Sequence, residues 1–343
     1  MKHLLNTLYV TSQGAYLARE GETVVVRLDG QERLRVPIHT LGGVVCFGQV
    51  GASPALMGLC GERGVSLSFL SENGRFLARV QGAVAGNVLL RREQYRRADD
   101  QDAATALARA VVAGKLMNAR TVLLRAARQD EGPDGADAIA AAGRELAGRL
   151  RELERAESLE TVRGVEGEAA RVYFDVFDHL VRAQKEGFFF RARSRRPPLD
   201  NLNALLSFVY TLLMHDVAAA LEGVGLDPAV GYLHRDRPGR KSLALDLMEE
   251  FRPFLADRLA LSLVNRQQVR ASGFTASASG GVTMDSDTRK TVLVAYQERK
   301  REELTHPFLG EKLALGLVPH VQALLLARHL RGDLDAYPPF VWR

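Results

Sequence analysis

The stretch from Asn201 to Glu222 constrains the fold of this chain more than any other. Placed on a helix, its Leu202, Leu205, Leu206, Phe208, Val209, Leu212 and Leu213 cover most of the circumference with apolar surface. A helix apolar nearly all round must be surrounded by other elements, so this one is expected at the centre of a helical domain. Pro197-Pro198 precede it and Gly223 and Gly225 end it, the punctuation of a bounded helix. It is read as a core helix: no apolar run is expected to be long enough to cross a membrane, and Met1 to Asn6 lack the apolar region of a signal peptide.

The 343 residues suffice for about two domains. The first 85 or so read as strands. Val24–Val26, Val44–Phe47 and Val65–Leu70 are short β-rich runs, with turn signals at Asp29-Gly30 and Asn73-Gly74. Ser53 to Cys60 reads as a short helix with Pro54 in its first turn. From about Gln94 the character becomes helical. Helices are expected over Ala103–Arg128, Ile139–Leu159, Leu255–Gln268, Asp287–Leu304 and Leu309–Arg331, with a loop at Asp130–Asp137 and a hairpin-like stretch at 272–284. Pro338-Pro339 keep the tail out of a helix. The expectation is an α+β chain. A small β-sandwich-like domain spans 1–88, a linker 89–100, and a larger all-α catalytic domain 101–343.

Charged residues make up 25% and the net charge is +5, which permits a polyanionic partner without requiring one. Cys46 and Cys60 have no metal-type spacing and read as buried thiols in a reducing cytoplasm. There is no Gly-x-Ser-x-Gly elbow and no Walker loop, so acyl transfer and ATP-driven chemistry are poorly supported.

The most specific chemical suggestion is Gly231-Tyr232-Leu233-His234, followed by the basic loop Arg235 to Lys241 and by Ser242 to Glu250. On a helix, Ser242, Asp246, Glu249 and Glu250 share one narrow stripe, and apolar residues cover the rest. That stripe faces either bulk solvent or a site. His234 alone is as well read as an ordinary hydrogen-bonded histidine. A second acid comes from the segment 163–177. Glu166 falls on one face with Ala169, Ala170, Tyr173, Phe177 and Leu180, while Glu168 falls opposite beside Arg171 and Asp175. An inward carboxylate needs a partner, which a metal, a buried arginine or the helix N-terminus can each supply. Two carboxylates and an imidazole form an oxygen-rich set suited to Mg²⁺ or Mn²⁺, and Arg235, Arg237, Arg240 and Lys241 can hold flanking phosphates.

At Leu159–Phe174, Arg196–Tyr210, Gly231–His234 and Ser242–Pro253 the chain resembles the CRISPR-associated integrase and endonuclease family of spacer acquisition, here the Cas-one family. The basic loop and the ending from Leu326 to Phe340 are similar to the type I-C subgroup. The resemblance implies metal ligands at Glu166, His234 and Glu249, with Asp246 supporting them. It also implies a homodimer formed through the β-domains, and a complex of two such dimers with one dimer of the small Cas-two protein. The implied reaction is attack by the 3′-hydroxyl of a captured double-stranded DNA fragment on a phosphodiester at the edge of the CRISPR repeat, alongside metal-dependent DNA cleavage. Arg193, Arg196 and Tyr210 are further candidate DNA contacts, and Asn203 lies in the same motif. No fused second activity is expected. Two alternatives share these residues: a non-integrating metal nuclease acting on branched or repair DNA, and a DNA-binding scaffold without chemistry.

Overall fold

The computed structural model describes residues 6–72, 76–80, 82, 88–128, 133–278 and 280–342. Asn73-Gly74 therefore lies outside the described residues. The chain divides into two units, Met1–Gly86 with Tyr296–Arg301, and Asn87–Ala295 with Glu302–Arg343.

The described residues of the first unit include β1 (Asn6–Val10), β2 (Tyr16–Glu20), β3 (Thr23–Leu28), β4 (Gln31–Pro37), β5 (Leu41–Phe47), β6 (Gly51–Ala52), α1 (Pro54–Arg63), β7 (Ser66–Leu70) and β8 (Phe76–Val80). They form two four-stranded sheets, ordered β1-β5-β7-β8 and β4-β3-β2-β6. The expected Asp29-Gly30 turn joins β3 to β4, with φ values of 51° and 74° that favour Gly and Asp. Ser53 caps α1, its hydroxyl accepting from the Leu56 N–H at 3.2 Å. The core is shared by Leu17, Val24 and Val26 of one sheet, Val44, Cys46 and Leu67 of the other, and Leu56, Leu59 and Cys60 of α1. Burial pushes the Cys46 thiol up to about 12 and the Cys60 thiol to about 11, so both are inert packing groups.

The second unit is mainly helical. Residues 89–100 are not a linker: α2 runs from Val88 to Asp99. It is followed by α3 (Gln101–Ala127), α4 (Pro133–Glu154) and α5 (Leu159–Asp175). Helix α4 starts inside the expected 130–137 loop, because Pro133 is tolerated at a first helical position. Helix α6 (Asn201–Gly223) is capped by Asp200, which accepts from the Asn203 N–H at 2.7 Å. By length and composition α6 could cross a bilayer, contrary to the expectation that no run would be long enough, but 72% of its apolar window is buried in the fold. It packs against α7 (Ser242–Met248), a π-helical turn at Arg252–Asp257, and α10 (Val318–Leu330). Between these lie α8 (Arg258–Asn265) and α9 (Ser286–Arg301).

Two short hairpins interrupt the helices of a half expected to be all-α: β9 (Phe274–Ala276) with β10 (Val282–Met284), and β11 (Glu303–Thr305) with β12 (Lys312–Ala314). The second displaces the start of the last helix from the expected Leu309 to Val318. Its turn is fixed by buried His306, whose Nδ1 accepts from the Phe308 and Leu309 N–H groups and whose Nε2 pairs with Gln322 Oε1 at 3.0 Å. Local hydrogen bonds of this kind override a helical pattern.

The tail is anchored at one buried carboxyl. Glu250 accepts from Tyr337 Oη at 2.8 Å, Gln322 Nε2 at 3.0 Å and the Phe340 N–H at 2.7 Å. Asn118 Nδ2 of α3 donates to the carbonyls of both Glu250 and Phe340. Burial outweighs these donors and pushes the Glu250 carboxyl from 4.5 up to about 8. A pKa raised by folding gives stability that is complete below pH 4.5 and lost as pH rises through about 8. The urea midpoint of the native chain should therefore fall over that range relative to Glu250→Gln, whose amide does not titrate; parallel pH profiles contradict this.

Candidate active site

Three segments of the helical unit converge. The first is Gly231–His234, an irregular stretch folded around Asp246 of α7. Asp246 Oδ2 accepts from the Tyr232 N–H at 2.6 Å and the Leu233 N–H at 3.0 Å, and Oδ1 from the His234 N–H at 2.9 Å. Oδ1 also lies 2.7 Å from His234 Nδ1. A carboxylate oxygen accepts, so in the neutral ring Nδ1 carries the proton and Nε2 offers its lone pair. Gly231 makes this possible, since a Cβ there would lie 2.7 Å from Asp246 Oδ2 and 2.8 Å from Ser242.

The second segment is α5, capped by Ser158. Its Arg163 Nε donates to the Leu233 carbonyl at 2.7 Å and fixes the helix to the Gly231–His234 stretch. One turn later Glu166 comes to the same cleft. The side chains of Glu166 and His234 are 26% and 24% exposed, whereas Glu168 pairs with Arg171 in solvent, as the helical wheel requires. The cleft holds about 220 Å³ and is walled by Arg163, Glu166, His234, Arg235, Arg237 and Arg240.

The third segment is the end of α7. The acids read as a stripe are all buried, and none faces bulk solvent. Glu249 and Glu250 point to different partners: Glu250 to the tail, Glu249 to Arg252 Nη1 at 2.6 Å and Lys115 Nζ at 2.7 Å. Lys115, on α3, also pairs with Glu166 and so bridges the two glutamates. Burial raises the Glu249 carboxyl, but Arg252 and then Lys115 outweigh it and hold the pKa at about 2. Burial likewise lowers the Lys115 ammonium, and Glu249 and Glu166 more than restore it. Glu249 Oε2, although 2.7 Å from Lys115 Nζ, makes no hydrogen bond of normal geometry and is shut away from water.

Arg252 is held in turn by Tyr210, its guanidinium carbon 4.3 Å from the ring centre. The Tyr210 hydroxyl bonds to buried Asp257, which also accepts from Tyr173 Oη at 3.1 Å. Tyr210 is only 8% exposed and is not a surface for DNA, a correction to its reading as a contact. Arg193 is also committed inward, donating to Asn203 Oδ1 at 2.7 Å and Ser207 Oγ at 3.0 Å. Arg196, Arg235 and Arg237 are exposed, and Lys241 is half-buried outside the cleft wall. Burial, and then the like charges of Arg237, Arg195 and Arg196 against the pull of Asp246, hold the Arg240 guanidinium below its ordinary value.

Sequence reasoning missed Lys115, Arg163 and Arg252. The available signal for Lys115 was a lone cation among Val111, Val112, Leu116 and Ala119; for Arg252 it was a cation three residues after Glu249. Among the described residues, no three His, Cys, Asp or Glu side chains stand close enough to hold one metal ion as they are placed, because Lys115 lies between the acids.

An imidazole, a carboxylate and arginines at one cleft of the helical unit are the groups with which an enzyme handles phosphodiesters. The family profile described as CRISPR associated protein Cas1 matches residues 8–298. A CRISPR-associated endonuclease Cas1 of Chlorobaculum tepidum is 56% identical over 343 residues, covering 100% of both chains. A second, from Rhodospirillum rubrum, is 55% identical over 348 residues, again covering 100% of both. The solved Cas1 protein of Thermotoga maritima shares the fold with a TM-score of 0.82 at 23% identity, over 97% of this chain and 99% of that one. A casposase bound to integration product has a TM-score of 0.83 at 21% identity, over 99% and 95%. The chain belongs to the Cas1 family, the endonucleases and integrases of CRISPR adaptation.

The cradle of Asp246 yields a test. Asp246→Asn should lower metal-dependent DNA cleavage by about 10- to 100-fold with the fold retained, the usual cost of losing a partner that orients a histidine. Gly231→Ala should lower it similarly by displacing Asp246, measured as turnover on plasmid DNA beside circular dichroism. Undiminished turnover in both would show that the cradle does not position His234.

Proposed function

We propose that this chain is the integrase of CRISPR spacer acquisition, with Glu166, His234 and Glu249 as its metal ligands. The observation that supports this most is the meeting of Glu166 and His234, 68 positions apart (234 − 166), at one arginine-walled cleft, with buried Glu249 joined to Glu166 through Lys115. The donor set fits a hard divalent ion. His234 presents the lone pair of Nε2, Glu166 presents a carboxylate at the cleft, and Glu249 Oε2 is a buried oxygen lacking a directed hydrogen bond. These groups would hold Mg²⁺ or Mn²⁺, which when bound would polarise a phosphodiester and stabilise charge on its oxygens. Asp246 fixes which imidazole nitrogen faces the cleft. Arg252 fixes Glu249. Arg163, Arg235, Arg237 and Arg240, backed by Arg196, bind the phosphates that flank the reacting bond.

In this reading the 3′-hydroxyl of a captured double-stranded DNA fragment loses its proton and bonds to the phosphorus of a phosphodiester at the edge of the CRISPR repeat. The bond from that phosphorus to the 3′-oxygen of the repeat strand breaks, and that oxygen leaves with a proton. Cleavage of DNA uses the same residues with water as the attacking group. Solved relatives of the same fold include a Cas6-RT-Cas1–Cas2 complex, and a Cas2 protein is the proposed partner here. A homodimer formed through the β-unit, a cytoplasmic setting and membership of the type I-C subgroup belong to the same proposal. So does a dimerising role for the first unit and a catalytic role for the second.

Glu166→Ala, His234→Ala and Glu249→Ala should each lower Mn²⁺-dependent transfer of a 3′-hydroxyl DNA end into repeat DNA by about 100-fold or more. Three intact activities would refute the site. Cleavage that needs neither repeat sequence nor Cas2 would instead favour a non-integrating nuclease. Replacing Arg235 and Arg237 with Ala should weaken DNA binding across sequences and reduce the salt slope by about one unit per lost phosphate contact. An unchanged slope in fluorescence anisotropy would remove those arginines from the interface.

A further inference from the structure

Lys115 has no place in the ligand set, yet its ammonium contacts the two carboxylates assigned to it. It pairs with Glu166 and lies 2.7 Å from Glu249 Oε2, and its side chain is only 12% exposed. An ammonium has no lone pair and cannot ligate a metal. A divalent cation and the lysine therefore compete for the same oxygens. The charges show why a cation is needed there. Glu249 is 4% exposed and Arg252 is committed to its Oε1, which leaves Oε2 and Glu166 to be balanced by Lys115. Two carboxylates brought together without a cation repel, and a buried one carries an uncompensated charge.

The place of Lys115 on α3 is fixed. At the preceding residue, Gly114, a Cβ would lie 3.0 Å from Pro339 and 3.2 Å from Glu250, so the helix is pressed onto the tail. Three residues on, Asn118 is bonded to Glu250 and Phe340. The backbone cannot retreat, but the four-carbon stem of a lysine can swing its compact charge away.

We propose that Lys115 is a built-in counter-cation for the metal site: it holds Glu166 and Glu249 together in the metal-free protein and yields their oxygens when a divalent ion binds. It is a positioning residue that sets metal affinity, and the inference rests on the reading of Glu166 and Glu249 as ligands. The lysine lowers metal affinity by occupying the site, and in exchange the site does not fly apart when empty.

The test is Mn²⁺ binding without DNA, read from the loss of the free-ion electron paramagnetic resonance signal, together with thermal unfolding with and without Mn²⁺. Lys115→Met should bind Mn²⁺ about tenfold or more tightly than the native chain, since a competing charge is gone. It should unfold at a lower temperature in the absence of metal and gain more from Mn²⁺ than the native chain does. Lys115→Gln, which keeps a donor and most of the length, should shift affinity in the same direction and covers the case in which the Met variant does not fold. Lys115→Arg, which keeps the charge, should leave affinity within about threefold. Glu166→Gln separates the two levels of the argument. If it binds Mn²⁺ as the native chain does, the ligand reading fails and this inference falls with it. If it loses Mn²⁺ while Lys115→Met and Lys115→Gln bind no more tightly than the native chain, the inference alone is overturned.

Discussion

The helical unit is organised around two adjacent buried carboxyls with opposite assignments. Glu249 and Glu250 follow the last turn of α7, where the chain leaves α-geometry and enters a π-helical turn. One faces cations and stays ionised; the other faces neutral donors and is pushed toward its protonated form. The same helix touches both residues. Lys115 and Asn118 of α3, one turn apart, take the two glutamates in turn: the ammonium meets the Glu249 side chain and the amide meets the Glu250 carbonyl. Packing of α3 against the π-turn thus brings the Lys115 charge to Glu249.

Around Glu249 the contacts form a chain rather than a cluster. Arg252 links Glu249 to the Tyr210 ring, and Tyr210 links it to Asp257, itself shared with Tyr173 of α5. Helix α5 thus reaches the site twice, through Glu166 at the cleft and through Tyr173 below it. Burial of this many polar groups costs stability unless each is partnered, and the partnered members of this network fix the relative rotation of α3, α5 and α6. Precision in a metal site depends on such surrounding partners as much as on the ligands.

Much of this was legible in the sequence. The apolar circumference of α6 marked the core, and the 100° wheel placed Glu166 toward the site and Glu168 toward water. The spacing of His234 and Asp246 indicated a shared environment, although not that three backbone N–H groups would close on the same carboxylate. Periodicity could not place Glu249 and Glu250 on different sides, because the regular helix ends at Met248 and a helical wheel no longer applies beyond it. Lys115 was hidden for a different reason: its partners lie 51 and 134 residues away (166 − 115 and 249 − 115), and no local pattern carries a contact of that range. The β11–β12 hairpin was concealed by residues that suit a helix until the buried His306 imidazole claims the backbone of its turn.

The anchoring of the tail has a consequence for the order in which the molecule matures. The Glu250 carboxyl is gripped by Gln322, Tyr337 and Phe340, and Trp342 donates to Asn118 Oδ1 at 2.7 Å. Every one of these residues leaves the ribosome after the cleft residues themselves have been made. Until they dock, the carboxyl beside Glu249 lacks the donors of Gln322, Tyr337 and Phe340, and α3 lacks the tail that presses on Gly114, next to Lys115. Contacts of such long sequence separation form late. A half-synthesised chain therefore carries the chemical groups of a DNA-cutting enzyme without their arrangement, and residues made well after those groups are the ones that arm it.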